Sequence, residues 1–298
     1  MGRAVSISGI AALTGHGRGL EALVGVHHKR TTLGELPLRE VLKERAPRRL
    51  DRLSEIAVIA GAEALLDAGG TLEPLVGAAS ERAGVFFATS YGNLAGTIAF
   101  LQKLHDKGPR FASPLDFPNL VLSAPTGTLS IQFGMRGELL AFNQNELCGV
   151  QALCAAYEAL SSGRLDIALC AAAEEKSVAR DACSPVPGLD MGEGGGAVVL
   201  EAGQGPVMLG GVGLAGGANA LADACLQASR GATADVVIGG AAAGGAFDLA
   251  ARIGFIDGHG VIDTAYAAHL IRTKRARTAL IYGSEPGNAA ALWLESHP

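Results

Sequence analysis

The chain has 298 residues, 49% hydrophobic and only 18% charged, which leaves little material for a disordered tail and enough to bury one or two cores. A net charge of −5 with a pI near 5.8 argues against nucleic acid or an anionic membrane as the main partner. Five cysteines (Cys148, Cys154, Cys170, Cys183 and Cys225), odd in number and without CxxC spacing, read as small buried hydrophobes and not as a disulfide or zinc framework.

The opening residues Met-Gly-Arg-Ala-Val-Ser-Ile lack the apolar core of a signal peptide, and no apolar run reaches about 18 residues, so a cytoplasmic protein is expected. Val5 to Gly9 is a short strand ending in glycine, followed by a Gly/Ala-rich loop and a short helical piece from Leu20 to Leu23. From Asp51 onward Leu53, Ile56, Ala57, Ala60, Ala64 and Leu65 recur at three- and four-residue steps, an amphipathic helix that stops near Gly69 and Gly70. Gly84 to Ala88 is a buried strand, Ala95 to Lys107 a helix, and Pro114 to Pro118 a loop.

The next unit carries the most information. Leu139 to Phe142 reads as a strand, Asn143 to Leu147 as a sharp turn, and Gly149 to Ser162 as a helix with small residues on several faces. Such an elbow presents a side chain at a helix N-terminus. Further strands are expected at Asp166–Ala172, Gly195–Glu201, Val207–Val212, Asp235–Ile238 and Thr278–Tyr282, with helices at Ala218–Gln227 and Thr264–Arg272. Strands alternating with helices, many of the strands continuous apolar runs, indicate an α/β protein with buried sheets. The basic stretch Arg272, Lys274, Arg275 and Arg277 has two readings, a solvated helix end or a docking patch for an acidic partner.

Several segments, in their order and spacing from Val5 to Glu201, resemble the β-ketoacyl synthase family of the thiolase superfamily. These are Val5 to Gly17, Asp51 to Gly69, Glu81 to Ser90, Ser113-Pro114 through Arg136-Gly137, Asp166 to Glu174, and Gly192-Glu193-Gly194-Gly195-Gly196 followed by Ala197 to Glu201. The resemblance implies a thiolase-like five-layered αβαβα fold. Here it is a shortened one: a single domain over residues 1–298, with an N-terminal half to residue 201 and a shortened C-terminal half over 202–298. Material expected of the family is missing between Glu175 and Gly192, between Asp248 and Gly258, and before Thr278. It also implies dimerisation through Leu139, Leu140, Ala141, Phe142 and Asn143, the strand that leads to the nucleophile.

Condensing members use a cysteine at the N-terminus of a buried helix, where the dipole favours the thiolate, and two histidines that assist decarboxylation and hold the oxyanion. The family's helix ends in a glycine followed three residues later by aspartate, matching Gly163 and Asp166. Counting back without a gap puts the nucleophile position on Glu146. Cys148 follows two residues on, about 200° around a helix, and is the lesser candidate nucleophile. Gly240 falls where the first histidine belongs. His259, in Gly258-His259, resembles the second, either as a relic or as a polar turn residue, and Gly254 stands at the usual lysine position. Gly283 to Asn288 stands in for a glycine-rich gate loop, with Ser284 at its gating position.

Glu146, Gly240, His259 and Ser284 are thus the expected pocket residues, with no catalytic residue, metal or cofactor assigned. Glu146 either fills the acyl-cysteine site or is a structural helix-start carboxylate. The resemblance implies a non-condensing, chain-length-factor-like subunit of a polyketide, aryl-polyene or fatty-acid system, paired in a heterodimer with an active ketosynthase and meeting acyl carrier protein through that complex. Two alternatives stand beside it. One is an active malonyl decarboxylase or acyltransferase using Glu146 or Cys148 with His259; the other is a homodimeric acyl-binding scaffold.

Overall fold

The computed structural model describes residues 2–24, 29–183, 190–239 and 249–297. The strands are β1 (Val5–Thr14), β2 (Gly17–Arg18), β3 (Ala83–Ala88), β4 (Leu139–Phe142), β5 (Ile167–Glu174), β6 (Gly194–Ala202), β7 (Val207–Gly216), β8 (Val236–Gly239), β9 (Thr278–Glu285) and β10 (Asn288–Ser296). The helices are α1 (Leu38–Leu42), α2 (Arg52–Asp67), α3 (Gly77–Glu81), α4 (Leu94–Lys107), α5 (Ala124–Phe133), α6 (Cys148–Ser161), α7 (Val178–Ala182), α8 (Ala220–Ser229), α9 (Ala250–Ile253) and α10 (His259–Arg272).

Strands pair in the order β4-β3-β5-β6-β1-β7-β10-β9-β8. The pairing of β1 with β7 is a single antiparallel match, Ser6 with Met208, so two sheets meet there edge to edge. In the first, β3 is parallel to β5, and β6 is antiparallel to both β5 and β1. In the second, β8 is parallel to β9, and β10 is antiparallel to both β9 and β7. The pattern repeats, an internal duplication that the residues themselves do not display. What does not repeat is β4: it lies parallel to β3 at the outer edge of the first sheet, and among the described residues no strand lies beside β8. Residues 89–147 separate β3 from α6, whereas 240–258 separate β8 from α10, so the second half has no stretch long enough to repeat α4, α5 and β4.

Side-chain alternation along each strand builds the layers. Val85 and Phe87 of β3, with Leu169 and Ala171 of β5, point outward and pack under α2 and α5. Phe86, Ala88, Ala168 and Cys170 point inward to a core shared with α6 and α10. In β10, Ala290 and Leu292 face that same core, while Ala291 and Trp293 face α8 on the far side. The result is helix, sheet, helix pair, sheet, helix: the thiolase-like αβαβα arrangement. Asp51 starts α2 by accepting a hydrogen bond from the Ser54 amide at 2.9 Å, and Gly69, with φ 76°, lies just beyond its end.

Some boundaries differ from the sequence reading. The helix expected from Thr264 begins at His259, and β1 continues to Thr14. Gly283 to Asn288 is not an open loop: it is the end of β9, a tight turn with Gly287 at φ 80°, and the start of β10, with Ser284 paired to Ala289. Pro-Gly is suited to such a turn, because its second position requires positive φ. Gly240 and Asp248 lie outside the described residues.

The two central helices touch at their N-termini. A Cβ on Gly149 of α6 would sit 2.7 Å from the Gly258 carbonyl and 3.0 Å from the Gly260 amide. Gly149→Ala should therefore lower stability by about 1–3 kcal/mol, the usual cost of overpacking a close contact, measured by chemical denaturation. An unchanged midpoint would show that the crossing is looser than this.

Candidate functional site

The elbow before α6 is built from polar side chains. Asn145 turns the chain at φ 27°, a region that asparagine tolerates better than most residues. The Asn143 side chain donates to the Thr89 carbonyl at 2.8 Å. Gln151 donates to the Gln144 side chain at 3.1 Å, and the amides of Leu147 and Cys148 both donate to the Gln144 carbonyl at 2.9 Å. Glu146 thus lies in a 3-10 turn, Asn145–Leu147, ahead of the helix, and is buried. The backbone of β9 closes over it: a Cβ at Gly283 would meet the Glu146 carbonyl at 2.7 Å.

His259 is the first residue of α10, on the opposite side of the crossing, and is buried. Its Nδ1 lies 2.6 Å from Asp263 Oδ2, one helical turn on. Burial pulls the imidazole pKa down, but Asp263, and then Glu146 and Asp257, outweigh it and raise it above the ordinary 6.5. Glu146 and His259 are therefore brought together. Ser284 is half-buried on β9.

Cys148 is the first residue of α6. It is fully buried, and burial, reinforced by the charges of Glu174 and Asp257, pushes its thiol well above the ordinary 9. A thiol so enclosed stays protonated and is a poor nucleophile.

Behind these residues is a buried ionic cluster that the sequence reading missed. Arg180 of α7 is wholly buried. Its guanidinium donates to Asp257 Oδ2 at 3.1 Å, and to the carbonyls of Phe255 at 3.1 Å, Glu175 at 3.2 Å and Gly192 at 2.5 Å. Its Nε lies 3.7 Å from Glu174 Oε2. The other oxygen of Glu174 accepts from the Thr89 hydroxyl at 2.9 Å and the Ser90 amide at 2.5 Å. Burial, with Asp257 adding and Arg180 opposing, raises Glu174 to about 7. One signal of this cluster was present in the sequence: an apolar strand ending in Glu174-Glu175 needs a buried counter-charge.

Glu146, Glu174, Asp257 and Asp263 thus gather around Arg180 and His259, where the amide ends of two helices converge and favour negative charge. Among the described residues, no group of His, Cys, Asp and Glu has an arrangement that could hold a metal ion. No helix among them is long and apolar enough to cross a membrane. A separate cavity of about 740 Å³, lined by Arg49, Asn93, Phe100, Lys103 and Leu115 among others, contains none of the residues of this site.

Arg180→Met should cost about 3–5 kcal/mol of unfolding free energy at neutral pH, because it leaves two buried carboxylates without their cation. Glu174 holds its proton more tightly folded than unfolded, so its contribution is full below about 4.5 and is lost as pH rises through about 7. Glu174→Gln should flatten the fall in stability over that interval, measured by denaturation at a series of pH values.

Residues 37–181 match the family described as Beta-ketoacyl synthase, N-terminal domain. A 3-oxoacyl-[acyl-carrier-protein] synthase 2 of Staphylococcus aureus is 27% identical over 196 residues, covering 58% of this chain and 48% of the relative. The chain thus spans about half the length of the curated relatives it matches. A solved β-ketoacyl synthase from Burkholderia phymatum superposes with a TM-score of 0.81 at 17% identity, covering all of both chains. A ketosynthase in complex with its chain length factor, from Xenorhabdus doucetiae, gives a TM-score of 0.70 at 16% identity, covering 99% of this chain and 98% of that one. At those identities the two structures establish the fold.

Proposed function

For this chain, whose residues 37–181 belong to the β-ketoacyl synthase family, we propose the role of a non-condensing, chain-length-factor-like subunit that pairs with an active ketosynthase. The observation that carries the proposal is the head of α6. The buried side chain at the elbow, facing His259 across the helix crossing, is the carboxylate of Glu146, and the adjacent thiol, Cys148, is enclosed and held protonated. A condensing site needs a thiolate there, and nucleophile and oxyanion partners act as a unit.

The electrostatics favour the same reading over a decarboxylase. Glu146, Glu174, Asp257 and Asp263 outnumber Arg180 and His259 in the buried site, so the malonyl carboxylate of an extender would enter against like charge.

The outer surface favours a partner. Strand β4 is a sheet edge, and Leu139 and Leu140 on it are 42% and 41% exposed. Helix α4 buries none of its residues fully, and Leu101, Phe111, Leu115 and Phe117, on it and in the chain that follows, are all more than half exposed. An exposed edge with apolar neighbours invites pairing with another chain. A solved structure that shares this fold is described as a ketosynthase in complex with its chain length factor. In our reading an acyl carrier protein meets this chain through that complex.

Co-expression with ketosynthases of the same genome, followed by light scattering, tests the proposal. The expected result is a one-to-one complex that Leu139→Lys with Leu140→Lys abolishes while the chain stays folded. Condensation by the complex should survive Glu146→Ala and disappear when this chain is omitted. A homodimer indifferent to every ketosynthase, or carbon dioxide released from malonyl carrier protein by this chain alone, would refute the reading.

A further inference from the structure

Asp263 has no place in the function proposed above, yet it is one of the most enclosed charged groups in the molecule. It is 2% exposed, lies four residues after His259 on α10, and its carboxylate is 2.6 Å from Nδ1. A carboxylate only accepts, so that contact assigns the Nδ1 proton to His259. The other nitrogen, Nε2, is buried and makes no hydrogen bond with the described residues.

Charged and titratable groups act on the imidazole from several elements. Glu146 comes from the elbow before α6 and Asp257 from the loop before α10, and the charge of Asp257 is shared with Arg180 of α7. Cys148 stays neutral beside Glu174 and Asp257. Tyr282 of β9 is held protonated by burial, and by Cys225, Asp263 and Glu146. Three carboxylates therefore act on the imidazole, while the buried cation of the cluster, Arg180, is committed to Asp257 and Glu174.

We propose that Asp263 is a positioning residue that fixes the Nδ1 proton of His259 and, with the charge of Glu146 adding to its own, holds the ring as a buried imidazolium paired to Asp263. An imidazolium so held has no lone pair to offer and cannot serve as a general base near neutral pH. This rests on the reading of Glu146 as the ionised occupant of the nucleophile position.

Long-range proton–nitrogen correlation spectra of the full chain, with His259 assigned by its loss in His259→Gln, read both ring nitrogens directly. At pH 7 both should carry protons, with a titration midpoint above 6.5. Asp263→Asn should move that midpoint down by more than one pH unit, a loss of more than tenfold in proton affinity, and Glu146→Gln should move it by less. Because the imidazole pKa is raised on folding, its stabilisation is full below about 6.5 and is lost as pH rises through the folded value. Asp263→Asn should therefore destabilise more at pH 6 than at pH 9, whereas a purely steric role would cost the same at both.

A neutral His259 in the wild-type chain at pH 7 overturns the inference, and that measurement needs no variant to fold. So does a midpoint unmoved by both substitutions. Light scattering with a ketosynthase on the same samples separates the two proposals: an imidazolium in a chain that binds no ketosynthase supports this inference and counts against the partner role.

Discussion

The contact between the N-termini of α6 and α10 sets what the rest of this molecule can be. Two helices enter the central layer from repeated halves of the chain, and their first turns meet through Gly149 and Gly260, where a Cβ would meet the other helix's backbone at 3.0 Å or less. At that distance the exposed amide ends of both helices lie in one small volume. Such a volume is electropositive and favours carboxylates. Glu146 and His259, far apart in the chain, become neighbours because each stands at the head of one of these helices.

Gathering acids in a dry interior creates a second requirement, which Arg180 meets. Its guanidinium ties the end of β5, the approach to β6 and the loop before α10 into one unit through Glu174, Gly192 and Asp257. A buried ion pair adds little net stability over well-packed apolar side chains, but breaking one is costly. The residue therefore acts less as glue than as a condition: given Glu174 and Asp257, the chain needs it. Its fork of donors also fixes the loop that leads into His259, so the geometry of the site and its charge balance have the same origin.

The two halves repeat each other in strand order but not in what surrounds them. The first half adds α4, α5 and β4 between its second strand and its central helix, and that addition carries most of the exposed large apolar side chains. The second half is shorter at the same place, and β8 is its outermost described strand. The asymmetry places that exposed apolar surface beside the sheet edge at β4, the strand that leads to the elbow at Asn145.

Much of this was legible in the chain itself. Strands β3 and β5 alternate side chains between two cores and read as continuous apolar runs, so their positions follow from local pattern. The elbow and α6 were also clear, to within a residue, because a polar turn between an apolar strand and an Ala/Gly-rich helix has few alternatives. The start of α10 was not: the helix expected from Thr264 begins at His259, where burial pairs Asp263 with His259 and Thr264 with the Gly260 carbonyl. The helix α5 and the strand β10 had no distinct local signal. Local pattern, then, determined the layered α/β class and the elbow, and the resemblance to the family's helix put Glu146 at its head. Tertiary structure alone decided that the charge of Glu146 acts on His259, that Asp263 meets His259 and that Arg180 balances Glu174 and Asp257. The Glu146–His259 and Arg180–Asp257 approaches join residues distant in sequence, and whether a buried charge is tolerated depends on the partner that folding brings to it.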